Sequence, residues 1–236
     1  TNDEVKSRLN AAIKQCARYH DMGGKAMNWD DVLEIFNTPV PTTVYSWDRG
    51  PIDTIMSPLD SIRWMKSFLQ CGMMSMEAKT GFVKAYVGGP DFKFFQYDMV
   101  TLGRRQVGST IKPLLYSLAV SAHGFTSCDV VDATGKTYGG WRPKGGVMGM
   151  VPMKNALAAS SNQASVWLCN LVTPKLFKKY LQDDLGIATQ TWPSNLTLAL
   201  GSGDISLGNM CSAYTIFPSY GVHYAPMLVT RIETAD

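Results

Sequence analysis

The sequence has 236 residues, 45% of them hydrophobic and 17% charged, with a net charge of +3. That length holds one large domain, or one domain with a small appendage, and buries a substantial core without disulfide or metal staples. The composition excludes disorder and low complexity, and the scatter of the Lys and Arg residues excludes the basic stripe of a nucleic-acid-binding protein.

Cys16, Cys71, Cys128, Cys169 and Cys211 lie far apart, with no C-x-x-C and no nearby His pair, which argues against zinc and iron–sulfur sites. They read mostly as small buried hydrophobes, with room for one disulfide. No run of about 18 apolar residues could span a bilayer. The polar start Thr1-Asn2-Asp3-Glu4 shows no signal peptide and no initiator Met, so the sequence reads as part of something longer.

In chain order, Thr1 and Glu4 have the spacing of a capping box, and Val5, Leu9, Ile13 and Cys16 recur at helical period, predicting a helix over about 1–20. A short helix follows at 28–37, and Pro39 and Pro41 mark a boundary. Residues 1–43 are thus expected to form a helical linker or pedestal, and 44–236 the main domain. Residues 44–56 read as extended around Asp48-Arg49-Gly50-Pro51. Ser57-Pro58 fits a helix start, and 73–89 reads as two strands flanking a turn. From 109 the pattern turns helical, over 109–122, 152–170, 174–183 and 206–217. Strands followed by helices predict a mixed α/β (α+β) protein.

The chemistry concentrates in Arg104-Arg105-Gln106-Val107-Gly108-Ser109-Thr110-Ile111-Lys112-Pro113. Ser109 opens an apolar helix, and Pro113 is tolerated because it falls in the first turn. A Ser and a Lys three apart share one helix face. A serine hydroxyl needs a base to become a nucleophile, and a lysine serves as that base only when neutral. A helix start also offers backbone N–H groups to a developing oxyanion. Ser-x-x-Lys alone is weak, since a chain this long contains about one by chance. Ser160-Ser161-Asn162, the only Ser-x-Asn in the chain, supports it, because S-x-x-K followed by S-x-N belongs to the serine β-lactamase and penicillin-binding set.

With these residues the sequence resembles the transpeptidase domain of class A penicillin-binding proteins. The hairpin Thr80-Gly81-x-Val83-x-Ala85-x-Val87-Gly88-Gly89 is similar to the strand pair preceding the nucleophile there. Leu198-Ala199-Leu200-Gly201 and Met210-x-x-Ala213-Tyr214-x-x-Phe217 are similar to the stretch after the Ser-x-Asn box. The chain departs from the pattern at Val107, at Ser219-Tyr220-Gly221 and in a short 138–150 region.

The resemblance implies an antiparallel sheet flanked by helices with a helical subdomain, its last strands, including a Lys-Thr-Gly box, falling after Asp236. It implies cross-linking of D-Ala-D-Ala stem peptides through an acyl-serine, and acylation by β-lactam antibiotics. Ser109 would be the nucleophile, Lys112 the base, Ser160 the proton relay and Asn162 the group holding Lys112 and the substrate amide. Gly108, Ser161 and Gln106 would line the substrate, with no metal or cofactor. The setting implied is the periplasmic side of the bacterial inner membrane, tethered by a segment outside this chain. A D,D-carboxypeptidase or β-lactamase, or a non-catalytic β-lactam sensor, is the alternative reading.

Three segments imitate other sites. Lys79-Thr80-Gly81 precedes the nucleophile and sits at a hairpin turn. Gly135-Lys136-Thr137 lacks the first Gly of a P-loop, with Val130 in its place. Gly201-Ser202-Gly203 lacks the third Gly of a dinucleotide fingerprint.

Overall fold

The computed structural model describes residues 2–234, so the Thr1 half of the expected capping box lies outside the described residues. Two compact units are present. One gathers the chain up to Gln70 with Asp91–Gln96, and the other holds Cys71–Pro90 and Tyr97 onward. The division falls at 70/71, whereas the sequence pattern put a boundary at 43/44.

The first unit opens with α1 (Asn2–Gln15) and α2 (Ala17–Asp21), a single expected helix interrupted at Cys16, whose extended backbone begins the second piece. α3 (Trp29–Asn37) starts where Asn28 accepts from the Asp30 amide. β1 (Val40–Ser46) and β2 (Gly50–Met56) pair antiparallel across residues 47–49. α4 (Pro58–Ser67) is capped by Ser57, whose hydroxyl accepts from the Asp60 amide at 3.1 Å and donates to the Asp60 carboxylate at 2.8 Å. That reciprocal cap, with Pro at the first position, is a strong local helix start. Ile13, Tyr19, Val32, Phe36 and Leu59 form the core, so α4, which follows Pro39 and Pro41, belongs to the same unit as the helices before them. The hairpin belongs here too: Trp64 on α4 donates its indole N–H to the Tyr45 carbonyl at 2.7 Å.

The second unit begins with the hairpin β3 (Met73–Met76) and β4 (Val83–Val87). Lys79-Thr80-Gly81 is its turn: Thr80 and Gly81 both send their amides to the Glu77 carbonyl, and Gly81 has φ +79°. β5 (Arg104–Gln106) leads through the 3-10 turn Gly108–Ile111 into α5 (Lys112–His123). β6 (Val130–Ala133) and β7 (Gly149–Pro152) pair antiparallel. α6 (Met153–Ala158), α7 (Asn162–Val172) and α8 (Pro174–Lys179) follow, then β8 (Asp204–Ser206), paired with β5, and α9 (Leu207–Tyr214). The core is helical at its centre: Leu114, Leu115 and Ala119 of α5 and Leu168 and Cys169 of α7 are fully buried.

The architecture is mixed α/β with short antiparallel sheets, and the strands form separate two-stranded pairings. β5 to β8 were not expected from the sequence. Each is three or four residues long, too short to show alternation. The cysteines depart from expectation in two places: Cys71 and Cys128 are exposed, and all five thiols are free. Cys169 alone is fully buried, which pushes its thiol up to about 12 and makes it an inert hydrophobe.

Candidate active site

Three stretches of chain converge. The first is the turn carrying Ser109. Gly108 enters it at φ +57° and donates its amide to the Gly201 carbonyl at 3.1 Å. The Lys112 amide closes the turn on the Ser109 carbonyl, and α5 continues with Pro113 in its first positions. Ser109 is exposed, and amides that open a helical turn have no partner within it. Its N–H therefore suits a developing oxyanion, as the Ser-x-x-Lys pattern requires.

The second stretch is the corner between α6 and α7. The Ser160 amide returns to the Leu157 carbonyl and the Ser161 amide to the Ala156 carbonyl, a Schellman-type helix ending. Such an ending needs a left-handed residue, and here it is Ser160, at φ +50°, where Gly is usual. Ser161 is buried, and its hydroxyl accepts from the Ala164 amide to cap α7. Asn162 is the first residue of α7.

Lys112 joins the two. It is 1% exposed, and its Nζ donates to the Ser160 carbonyl at 2.6 Å, the Ser160 hydroxyl at 3.1 Å and Asn162 Oδ1 at 2.6 Å. These acceptors account for all three ammonium hydrogens. Burial nevertheless pulls the Lys112 ammonium below the ordinary lysine value, because water no longer solvates the charge. The arrangement thus holds a buried amine that can shed its proton, one helical turn from an exposed serine and in contact with a second hydroxyl.

The third stretch props the first. Gly201 has φ +72°, and a Cβ there would lie 2.1 Å from the Gly108 carbonyl oxygen and 2.4 Å from its nitrogen. Only a glycine lets these two backbones touch. The contact extends through Val107, whose amide donates to the Gly203 carbonyl at 3.0 Å, into the β5–β8 pairing. Tyr214 on α9 donates its phenol to the Thr110 carbonyl at 2.7 Å. Gly201-Ser202-Gly203 is therefore the backbone support of the serine turn. Its two glycines, separated by one residue at the end of the apolar run Leu198-Ala199-Leu200, were the available signal of close backbone approach. Gln106 lies exposed at the end of β5, opposite Asp204. Among the described residues, no cluster of three His, Cys, Asp or Glu could hold a metal ion.

Residues 1–69 match the family described as penicillin-binding protein middle domain, and residues 71–235 match the penicillin binding protein transpeptidase domain. Among similar proteins, penicillin-binding protein 1A of Neisseria cinerea is 32% identical over 186 residues, which cover 74% of this chain and 23% of that protein. Penicillin-binding protein 1A of Pseudomonas aeruginosa is 28% identical over 176 residues, covering 71% and 21%. The chain thus spans about a quarter of the length of the curated relatives it matches. In fold it is similar to penicillin-binding protein 1A from Haemophilus influenzae, with a TM-score of 0.58 at 24% identity, covering 63% of this chain and 23% of that one. It is also similar to PonA1 of Mycobacterium tuberculosis, with a TM-score of 0.57 at 18% identity, covering 92% and 59%. With a family match over residues 71–235 and the paired serine and lysine turns in place, the chain belongs to the penicillin-binding protein transpeptidase family, in its class A branch.

Proposed function

We propose that this chain carries the acyl-transfer site of a peptidoglycan D,D-transpeptidase, acting on D-Ala-D-Ala stem peptides. The observation that carries the reading is the buried Lys112, its Nζ in contact with Ser160 and Asn162. Its three acceptors hold Nζ in place, and burial favours the neutral amine that a serine nucleophile requires.

In this reading Ser109 Oγ attacks the carbonyl of the penultimate D-Ala and its proton passes to neutral Lys112. The Ser109 N–H faces the oxyanion. The tetrahedral adduct collapses to an acyl ester, and the terminal D-Ala leaves with a proton relayed from Lys112 through the Ser160 hydroxyl. The amine of a second stem peptide then attacks the ester, losing its proton along the same path, and Ser109 is regenerated. β-Lactams enter at the first step and stop at the ester. The site would work on the periplasmic face of the inner membrane, the anchor being supplied by the longer protein.

Labelling full-length protein with a fluorescent penicillin tests this directly. Wild type is expected to form a stable covalent adduct and Ser109→Ala none. A wild type that takes no label overturns the reading. Label that is rapidly lost to water points instead to a hydrolase.

A further inference from the structure

Residues 141–146 form a strap laid against the start of α7. Tyr138 and Trp141 exchange both backbone hydrogen bonds at one end of it, at 2.7 and 3.0 Å. Two consecutive side-chain amides of α7 then take two consecutive carbonyls of the strap. Gln163 Nε2 donates to the Pro143 carbonyl at 2.7 Å, and Asn162 Nδ2 donates to the Lys144 carbonyl at 2.8 Å. Gly145 follows at φ +131°, where a Cβ would lie 3.4 Å from Asn162 Nδ2.

Gln163 is anomalous. It is 3% exposed, and its Oε1 is buried without a hydrogen-bond partner. A buried, unpaired amide oxygen is costly, and an aliphatic side chain in this core position would avoid it. What glutamine supplies that leucine cannot is the N–H on Pro143.

The consequence runs through Asn162. A side-chain amide has one accepting and one donating end, and its orientation is set by its partners. The Lys144 carbonyl can only accept, so it holds the Asn162 NH2 and turns Oδ1 toward Lys112. Without that carbonyl only the Lys112 donor orients the amide, and the Asn162 oxygen is held on the lysine less firmly. We propose that Gln163 is a positioning residue for the acyl-transfer site: by holding the strap at Pro143 it keeps the Lys144 carbonyl on Asn162, and so keeps the Asn162 oxygen on Lys112. This rests on the function proposed above.

The test is Gln163→Leu in the full-length protein, read as the second-order rate of acylation by a fluorescent penicillin across pH, alongside the melting temperature. The variant removes one unpaired buried group and leaves another, so Tm is expected within about 3 °C of wild type. The acylation rate is expected to fall by roughly ten- to a hundredfold. The acid limb of the pH–rate profile is expected at lower pH, because an ammonium that loses an acceptor gives up its proton more readily. Gly145→Ala, which strains the strap at a φ of +131° that L residues rarely adopt, is expected to shift the limb the same way, and it decides the matter if Gln163→Leu does not fold. An acylation rate within twofold of wild type, or a limb that stays or moves up, overturns the proposal. Those outcomes are read against a labelled wild type. If wild type itself takes no label, it is the functional reading that fails.

Discussion

Ser160 holds a left-handed backbone at φ +50° that costs an L residue roughly 1–2 kcal/mol. The same conformation ends α6 and places the Ser160 carbonyl and hydroxyl on Lys112. Backbone strain and the contacts with Lys112 therefore share one residue, as is common at functional sites. They can be separated. Ser160→Gly relieves the backbone and Ser160→Ala does not, while both remove the hydroxyl. Ser160→Gly is expected to exceed Ser160→Ala in stability by about 1 kcal/mol by urea denaturation. Both are expected to lose most acylation in the penicillin assay. A Ser160→Gly variant that acylates like wild type would show that the hydroxyl carries no proton.

At the scale of elements, the serine turn is set by backbone rather than by side chains. Gly108 rests on Gly201, Val107 on Gly203, and the Thr110 carbonyl on Tyr214. Gly203 has its own constraint, since a Cβ there would lie 2.0 Å from the Trp192 ring, whose indole N–H donates to the Asp204 carbonyl. Gly201→Ala meets backbone atoms on Gly108 that cannot rotate away, at a φ that disfavours alanine as well. The expected cost is about 2–4 kcal/mol in denaturant unfolding, from overpacking together with the left-handed backbone. Acylation is expected to fall by more than tenfold in the protein that remains folded, because the turn carrying Ser109 must move. Unchanged labelling would show that the turn does not depend on this contact.

At the scale of the whole molecule, two titrations outside the site contribute to the loss of stability in acid, alongside the lowered carboxyls of Asp60, Glu77, Asp98 and Asp129. Asp132 on β6 is drawn down to about 2, first by its hydrogen bond with Lys136 and then by those with Thr134. A carboxyl with a depressed folded value stabilises above its unfolded value of 3.8, and that stability is lost as pH falls toward 2. His223 is also lowered, by burial. The Ser212 hydroxyl donates to the Tyr224 carbonyl at 2.8 Å, so in its bond with His223 Nε2 it accepts, and the neutral ring carries its proton on Nε2. The folded state prefers that neutral ring, so its contribution is present above pH 6.5 and declines below it. Urea midpoints measured from pH 7 to pH 2 are expected to fall in two stages. Asp132→Asn is expected to flatten the stage below pH 4, and an unchanged slope there would refute the assignment.

The division of labour between sequence and tertiary structure follows from range. Helical period, the Asn28 and Ser57 caps and the Lys79-Thr80-Gly81 turn are local properties, and the elements appear where those signals stand. The pattern Ser109, Lys112, Ser160, Asn162 was likewise legible as residue types at fixed spacing. What the sequence could not carry is contact across distance. Lys112 reaches Ser160 and Asn162 from 48 and 50 residues away, and Tyr214 reaches Thr110 from 104. Nothing periodic marks such pairs. The short strands β5 to β8 exist only because a distant partner completes them, and Gly201, Gly203 and Gln163 acquire meaning only from the atoms packed against them. By itself the sequence determined the residue types and spacings that suit acyl-transfer chemistry and the helical stretches near them. Only the tertiary structure decided that Lys112 is buried against Ser160 and Asn162, because burial and backbone-to-backbone contact belong to the packed chain and to no segment of it.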